Sequence, residues 1–302
     1  MENKMNKRDK SLDGRIFDFI NTFLLVLILL IIALPLVFII NASFSNSSKV
    51  LLGEVFLFPK GFQTLSYSRV LSDSSILSGY KNTIMYTLVG TCVNLVMTVL
   101  AAYPLSLKTF AARNVIMFLI TFTMLFSGGL IPTYLVIRSL GLLDTFWVMV
   151  IPNAVGVTNI IIMRTFFGTT IPAELYDAAH IDGCSKVAAL IKIVLPLSKA
   201  VLAVIGLFYA LGHWNSYFNA IIYLSSDSKY PLQLILRRIL ILNRPSADML
   251  ASADSMSLAE QAEYAETIKY AAIIISSLPV LLIYPFIQKY FVQGVMIGAI
   301  KG

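Results

Sequence analysis

Charged residues are scarce in this chain of 302 residues. Asp, Glu, Lys and Arg together make up 13% of it, hydrophobic residues make up 58%, and the mean hydropathy is +0.81. A water-soluble fold of this length needs far more charge to cover its surface. The composition therefore excludes an ordinary soluble domain and predicts an integral membrane protein. The net charge of +7 is better explained by membrane topology than by binding to nucleic acid.

Cysteine and histidine are also scarce. Cys92 and Cys184 are too few for a disulfide framework and show no CxxC spacing, and His180 and His213 form no HExxH pair. We therefore predict no metal site and no catalytic residues. A membrane-embedded enzyme would need a paired catalytic set, which two isolated histidines do not supply.

Two further absences concern energy sources. No GxxxxGK[ST] motif occurs, so the chain cannot hold ATP in a P-loop, and we expect no cofactor on it. No acidic residue lies in the middle of a long apolar run, since Asp18 and Asp144 stand near the ends of such runs. Ion-coupled secondary transporters usually bury acids within their spans, so this class is disfavoured.

Long apolar runs are plentiful. A hydrocarbon core of roughly 30 Å needs about 20 apolar residues per helix, and the first run is too long for a cleaved signal peptide, so we expect an uncleaved anchor. The third run contains Gly128, Gly129 and Pro132, where we expect a kink or a break. The six predicted spans lie near Phe19–Ile40, Thr83–Pro104, Val115–Val136, Phe146–Met163, Ala200–Leu224 and Ile268–Gln288.

The positions of the basic residues predict the topology. With a cytoplasmic N-terminus, most Lys and Arg residues of the short flanks lie on the inner face. We therefore expect a basic cytoplasmic tail (1–14), a transmembrane domain (15–290) and a cytoplasmic C-terminal tail (291–302). Two long loops, about 41–82 and 225–267, then lie outside, and "LILRRILIL" (Leu234–Leu242) in the second is either a strand or a surface helix.

One polar stretch interrupts the apolar runs: "ELYDAAHIDGCSKVAALIKIVLPLS", Glu174 to Ser198. Pro172 and Glu174 suit the first turn of a helix. Gly183 is expected to end that helix, because glycine readily takes the left-handed conformation of a C-terminal cap. Ser185 is expected to cap a second helix.

Both helices are predicted to be amphipathic. The expected apolar faces are Leu175, Ala178, Ala179 and Ile181 on the first helix and Val187, Leu190, Ile191 and Val194 on the second, before Pro196 marks the next break. Such a pair of helices is either a docking surface for another protein or a loop that packs on its own bundle or lies in lipid headgroups.

This stretch resembles the EAA loop of ABC importer permeases, whose core is EAA, three residues and G, followed by an apolar tail ending in LP. The pattern positions are held by Glu174, Ala178, Ala179, Asp182, Gly183 and Pro196. Asp177 stands where the motif has a glutamate, which keeps the charge. The resemblance implies that residues 172–198 hold the coupling helix, which sits in a cleft of a cytoplasmic ATPase through Glu174, Asp177, Ala178, Ala179, Asp182 and Gly183.

Three further segments, Ser127–Val155, Leu207–Leu224 and Tyr290–Gly302, resemble the carbohydrate-uptake branch of these permeases. The likeness is to the maltose-type second permease and to permeases paired with lipoproteins that bind polysaccharide fragments. It implies an all-α membrane fold of about six transmembrane helices in a bacterial cell membrane. The alternative is an ABC permease for peptides, amino acids or ions.

The resemblance also implies partners. They are a dimer of ATPases that holds ATP and Mg²⁺, a second homologous permease that forms a heterodimer with this chain, and an extracellular solute-binding lipoprotein that delivers an oligosaccharide. In maltose-type relatives the C-terminal tail reaches between the ATPases, so Gly294, Gly298 and Lys301 are candidate contacts. The alternative is a frayed terminus.

Polar and aromatic residues within the spans are the candidates for solute contact. Sugars are held by hydrogen bonds and by aromatic faces, and a polar group in a span is costly unless it faces a cavity or a neighbour. Asparagines within spans also bond neighbouring helices, and Trp214 is equally suited to anchor at the membrane interface. The candidates are Asn94, Asn153, Asn159, Trp214, Asn215, Tyr217 and Asn219.

Overall fold

The computed structural model describes residues 12–240, 268–285 and 288, and the regular structure in these residues is helical. Two short 3₁₀ helices, Phe146–Met149 and Asp227–Lys229, and one π-helical segment, Leu190–Val194, accompany the α-helices. The α-helices are α1 (Leu12–Ser43), α2 (Ser47–Leu51), α3 (Leu65–Ser72), α4 (Ser74–Ser106), α5 (Arg113–Leu125), α6 (Leu130–Ser139), α7 (Val157–Thr170), α8 (Ala173–Ile181), α9 (Lys186–Ala189), α10 (Leu195–Leu197), α11 (Lys199–Trp214), α12 (Phe218–Tyr223), α13 (Leu232–Leu240) and α14 (Ile268–Pro285).

The described residues form two compact units. The first holds residues 12–72 and 268–275, and the second holds 73–240 and the described residues from 276 onward. In the first unit, α1 carries a long apolar run, and no residue of its most hydrophobic window is buried. A small core lies at the C-terminal end of α1, where Ala42, Val50 and Val55 pack together and the ring of Phe38 meets Tyr270 edge-on at 5.7 Å.

The second unit is built around α4. The side chain of Asp73 caps this helix by accepting hydrogen bonds from the backbone N–H groups of Ser75 (2.8 Å) and Ile76 (3.0 Å). One stripe of α4 is buried at the three- and four-residue spacing of a helix face. The stripe includes small and polar residues as well as apolar ones: Ile76, Gly79, Thr83, Tyr86, Gly90, Asn94 and Thr98.

Helices α7 and α11 pack against α4 over an apolar core that includes Met163, Phe167 and Ile205. The N-terminal half of α4 packs against α13. The backbone N–H of Leu232 donates to Oγ1 of Thr83 at 2.8 Å across this contact. Of the two predictions for Leu234–Leu242, the helix is correct as far as Leu240, but it is not a surface helix, because Leu234, Ile235, Leu236 and Ile239 are buried. Ile241 and Leu242 lie outside the described residues.

Within the described part of the chain, three helices are long and apolar enough to cross a membrane: Gly14–Ser43, Ser74–Ser106 and Ile268–Pro285. Two bent pairs raise the number to five if each pair is one span: Arg113–Leu125 with Leu130–Ser139, bent by 114°, and Lys186–Leu197 with Lys199–Trp214, bent by 84°. The predicted break in the third span is therefore confirmed. It falls beside Gly129, whose φ of +84° is favourable for glycine.

The fourth predicted span, Phe146–Met163, is wrong as a continuous helix. After the 3₁₀ helix the chain turns, and α7 begins only at Val157. Pro152 lacks a backbone N–H, and Gly156 has extended backbone angles, so the apolar run from Phe146 to Met163 does not form one helix. The 14 residues of α7 reach about 21 Å, which is less than a hydrocarbon core.

The fifth predicted span, Ala200–Leu224, is also divided. Helix α11 ends at Trp214, and α12 is a separate short helix over Phe218–Tyr223.

The all-α membrane class is confirmed. The expected six helices exceed the three to five that meet the length criterion in the described residues, chiefly because α7 is short.

Candidate functional site

The polar stretch forms two short helices joined by a glycine turn. Pro172 has extended backbone angles and stands at the N-terminal cap of α8, one position before the helix, and Glu174 lies in the first turn, where its charge suits the helix dipole. Helix α8 ends at Ile181, and Gly183 follows with φ = +71°. The predicted left-handed glycine is therefore confirmed.

Two hydrogen bonds close this turn. The N–H of Gly183 donates to the carbonyl of His180 (3.0 Å), and the N–H of Cys184 donates to the carbonyl of Ala179 (2.8 Å). These are the paired bonds of a Schellman motif, in which a glycine lets the chain reverse while the last helical carbonyls stay bonded. The turn is thus a defined structure rather than a loose loop.

The second helix is capped as predicted and held on the bundle. Oγ of Ser185 accepts from the N–H of Ala188 at 3.2 Å. The hydroxyl of Tyr103 on α4 donates to the carbonyl of Lys186 at 2.9 Å. Leu190 and Val194 are buried in the core of the second unit. The hydrogen bond from Tyr103 therefore ties α9 to α4, and the residues that follow α9 pack into the same core as α11.

The first helix leaves most of its candidate residues exposed. Ala179 is buried, whereas Ile181 is 85% exposed. Glu174, Asp177, Ala178, Asp182 and Gly183 are exposed too. The prediction that Ala179 and Ile181 share one face is wrong, because residues two apart on a helix point about 200° apart.

Beyond the turn, the predicted second face is also split. Leu190 and Val194 are buried, but Val187 is 66% exposed and Ile191 is 59% exposed. The break expected at Pro196 falls at Ser198, where α10 ends and the chain bends into α11. The π-helical residues before it accommodate the missing N–H of the proline.

Tyr176 fixes the inward side of α8. Burial raises the pKa of its phenol to about 12, and the neighbouring Tyr103 adds to this effect. Its hydroxyl oxygen is buried and has no hydrogen-bond partner among the described residues. The outward side, with Ile181 and the acidic residues, is the exposed side of α8.

Asn94 lies in the packed interior of the second unit. Its Nδ2 donates to the carbonyl of Asn153 at 2.5 Å, and its Oδ1 lies 2.7 Å from Nε2 of His213. A carbonyl only accepts, so the amide nitrogen must face Asn153 and the amide oxygen must face the histidine. His213 therefore carries its proton on Nε2. The side chain of Asn94, a predicted solute contact, is thus engaged in two hydrogen bonds that join α4 to α11 and to the turn before α7.

A second buried bond network lies one helical turn away. The hydroxyls of Thr98 and Tyr209 are 2.7 Å apart, and the N–H of Gly156 donates to the Tyr209 oxygen at 2.9 Å. Sequence reasoning missed Tyr209 and Thr98. The signal was their spacing, since Tyr209 stands four residues before His213 and Thr98 stands four residues after Asn94.

The other candidates for solute contact differ in accessibility. Trp214 is buried, and its ring lies 6.4 Å from that of Tyr80. Asn215 is exposed, but its Nδ2 donates to the carbonyl of Leu211 at 2.9 Å. Asn153 and Tyr217 are exposed and Asn159 and Asn219 are half-buried. The tail candidates Gly294, Gly298 and Lys301 lie outside the described residues.

Asp144 is hydrogen-bonded to Ser225, Ser226 and Lys229, and we call these four residues the latch. The sequence indicated only that Asp144 lies near the end of an apolar run. Its φ of +53° is unusual for a residue other than glycine. Its carboxylate accepts from the N–H groups of Ser225 (3.0 Å) and Ser226 (3.1 Å), from Oγ of Ser226 (2.5 Å) and from Nζ of Lys229 (3.0 Å). These bonds, that of the Ser226 hydroxyl first, hold the pKa of the carboxyl well below its usual range.

The architecture defines a polytopic membrane protein that carries an exposed pair of short helices joined by a glycine turn. No family model matches the chain. Protein LplC of Bacillus subtilis (strain 168) is 43% identical over 96% of each chain. The polygalacturonan/rhamnogalacturonan transport system permease protein YtcP of the same organism is 40% identical over 96% of this chain and 99% of its own.

A solved structure agrees with these relatives. A chain of a bacterial ABC transporter involved in the import of the acidic polysaccharide alginate superposes with a TM-score of 0.86 at 37% identity, covering 93% of this chain and 98% of its own. The chain described here belongs to the family of carbohydrate ABC transporter permeases. It is a multi-pass membrane protein of the permease class.

Proposed function

We propose that this permease carries an oligosaccharide across a bacterial cell membrane after an extracellular solute-binding lipoprotein has delivered it. The observation that supports this most directly is the full-length similarity to relatives named for polysaccharide transport. One is named for polygalacturonan and rhamnogalacturonan, and another belongs to an importer of alginate. Fragments of such polysaccharides are therefore the first solutes to test. An ABC permease for a solute other than a sugar is the alternative.

The turn at Gly183 is proposed as the coupling surface. Ile181 and Val187 flank it and are 85% and 66% exposed, which is costly in water unless a partner covers them. Glu174, Asp177 and Asp182 add negative charge beside this apolar patch. An apolar tip with an acidic rim suits a cleft on a soluble partner, and that partner is proposed to be the cytoplasmic ATPase dimer.

The contacts of α9 and of the residues that follow it explain how a displacement of the turn at Gly183 would reach the membrane helices. Helix α9 is bonded through Tyr103 to α4, and the π-helical segment that follows it is buried through Leu190 and Val194. A displacement of the turn must therefore carry α4 and α11 with it as one body, because packed interiors do not deform continuously. ATP and Mg²⁺ are proposed to be held by the ATPase pair, which closes and drives the switch between inward- and outward-facing states.

Membership of the family also supports proposals for the remaining partners and for the topology. The second permease is proposed to be a different, homologous chain, so that the pair is a heterodimer. Both termini are proposed to lie in the cytoplasm, where Gly294, Gly298 and Lys301 would contact the ATPases. Along the solute path we propose Asn153, Asn159, Asn215, Tyr217 and Asn219, whose side chains are exposed or half-buried. The engaged amide of Asn94 and the buried ring of Trp214 are proposed to shape that path rather than to touch the solute.

The test is uptake by the purified assembly. The chain is purified from its native membrane with its associated proteins, which are identified, and the assembly is reconstituted in vesicles. We expect ATP-dependent uptake of labelled polysaccharide fragments that requires the binding protein. Uptake driven by an ion gradient without ATP, or uptake of a peptide but of no sugar, would overturn the proposal.

A further inference from the structure

The segment that follows α2 exposes large apolar side chains. Leu52 is 73% exposed, Phe56 58%, Leu57 50%, Phe58 78% and Phe62 71%. We call residues 52–62 the apolar loop. A cluster of this size is rare on a surface that faces water, and it marks a contact with a protein or with lipid.

The apolar loop is tied to the end of α1. Nδ2 of Asn41 donates to the carbonyl of Phe56 at 3.1 Å, and the N–H of Asn46 donates to the carbonyl of Lys60 at 3.0 Å. The N–H of Lys60 in turn donates to Oγ of Ser45 at 3.0 Å. The loop cannot swing away from this helix end without breaking these bonds.

The end of α1 lies beyond its most apolar part. Helix α1 is long and apolar enough to cross a membrane over Gly14–Ser43, and Asn41 and Asn46, which hold the loop, bracket Ser43. The bonds therefore keep the main chain of the apolar loop beside this helix end, close to where a span of this length leaves the hydrocarbon core. Gly61 allows the close approach, because its φ is +67° and a Cβ there would lie 3.1 Å from Cβ of Asn46.

Continuity of apolar surface favours lipid as the occupant. Leu36 and Ile40 in the last turns of α1 are 56% and 49% exposed, so the lipid-facing side of the helix runs up to the loop. The ring of Phe62 stacks on Phe44, just beyond the helix end, at 5.5 Å. Exposed apolar side chains thus occur both on the last turns of α1 and on the loop that is bonded to its end.

The charged neighbours fit the same site. Lys49, just before the loop, and Lys60, within it, are exposed, and Lys60 pairs at the surface with Glu54, also within the loop, at 3.5 Å. Aromatic rings with lysines at their margin are typical of the membrane–water interface, where the rings lie among headgroups and the ammonium groups meet lipid phosphates.

We propose that the apolar loop is a membrane-interface anchor. Its phenylalanine and leucine side chains insert into the headgroup–acyl boundary of the leaflet beside α1 and fix the depth and tilt of that helix, which is otherwise held by few buried contacts.

The test measures the depth of the loop in the assembled transporter, reconstituted in vesicles of phosphatidylethanolamine and phosphatidylglycerol. Cys92 and Cys184 are replaced by alanine, and an environment-sensitive fluorophore is attached in a Phe58→Cys variant. The matched control is Ser68→Cys, an exposed position on α3 in the same unit. Lipids with a nitroxide near the top of the acyl chain quench from the membrane, and iodide quenches from water.

We expect the Phe58 probe to be blue-shifted and quenched several-fold more strongly by nitroxide lipid than the Ser68 probe. Equal quenching of the two probes by iodide would overturn the anchor. So would a Phe58 probe that ignores nitroxide lipid but shifts when the solute-binding protein is added, because the loop would then be a protein contact.

A second arm tests whether the side chains themselves set the depth. A probe in a Leu52→Cys variant is compared with and without Phe56→Ser and Phe58→Ser in the same chain. We expect the two serines to move the probe into water, with loss of lipid quenching and gain of iodide quenching. An unchanged probe would show that its position is set by the backbone bonds alone and would contradict the anchor.

Discussion

Nε2 of His213 on α11 donates to Oδ1 of Asn94 on α4 at 2.7 Å, across 119 positions of the sequence. The other end of the same amide is bonded to the carbonyl of Asn153. One buried side chain therefore joins two membrane helices and the turn before α7. In an interior with little water, each of these groups depends on the others for its hydrogen bond.

Replacing Asn94 with alanine is expected to destabilise the permease. The change leaves Nε2 of His213 and the carbonyl of Asn153 without partners in a buried site, which costs about 1–3 kcal/mol. Thermal unfolding of the assembled transporter in detergent measures the loss. Cys92→Ala, two residues away on the exposed side of α4, is the control and should leave the transition in place. Equal behaviour of the two variants would contradict a structural role for the amide.

Gly90 is expected to tolerate no side chain. A methyl group there would collide with the imidazole ring of His213, so Gly90→Ala should lower stability by about 1–3 kcal/mol through overpacking. Gly212→Ala is the matched control, because a Cβ at Gly212 meets no described atom within 4 Å. It should be neutral or stabilise α11 by up to about 1 kcal/mol.

The double variant separates the collision from other causes. If the ring of His213 is what the new methyl group meets, then Gly90→Ala should cost much less in a His213→Ala background than alone. Unfolding of the two single variants and the double variant gives this coupling. Strict additivity would show that the two positions do not interact.

Local signals in the sequence were sufficient for several elements. The length of the apolar run predicts α1, and Gly128 and Gly129 predict the break between α5 and α6. Gly183 predicts the turn after α8, and Ser185 predicts the cap of α9. Each of these features is decided within a few residues, by a missing side chain or by a hydroxyl next to a free N–H.

The features that the sequence did not predict depend on contacts between distant residues, or were hidden by averaging hydropathy over a window. Hydropathy averaged over Phe146–Met163 could not show that the chain turns between Pro152 and Gly156. The burial of Asn94 and the bond of Tyr209 require knowing which helices meet. The latch at Asp144 joins residues about 80 positions apart, and its left-handed backbone has no signal of its own in the sequence.

Asp144→Asn is expected to loosen the segment that α12 and α13 flank. The amide keeps the size of the side chain but removes the charge that Lys229 meets, and one of its two polar ends no longer accepts hydrogen bonds. Hydrogen exchange of the Ser225 and Ser226 amides should therefore become faster. Asp227→Asn is the control, because Asp227 is 76% exposed and pairs with Arg238 only at the surface.

The latch also predicts a dependence on pH. The folded pKa of Asp144 lies below its ordinary value, so its stabilising contribution is complete above about pH 4 and is lost as the pH falls through the lowered folded value. Protection of the Ser225 and Ser226 amides should be constant from neutral pH to about pH 4 and should decline below it. A loss of protection between neutral pH and pH 5 would mean that a group other than Asp144 controls this segment.

The final prediction concerns Gly183 and uses Gly141 as its control. Both glycines have positive φ, +71° and +67°, and a Cβ at either meets no described atom within 4 Å. Alanine should therefore cost each site a similar backbone strain, about 1–2 kcal/mol. Only Gly183 lies in the proposed coupling surface, so only Gly183→Ala should weaken the link between ATP hydrolysis and uptake.

The measurement is the ratio of solute transported to ATP hydrolysed in vesicles, with assembly of the complex checked first. We expect Gly183→Ala to lower this ratio and Gly183→Leu to lower it further or to prevent binding of the ATPase, because the larger side chain also projects into the contact. Gly141→Ala should keep the ratio even if the protein melts at a lower temperature. If both alanine variants lower the ratio equally, the cause is general strain, and the turn at Gly183 has no special part in coupling.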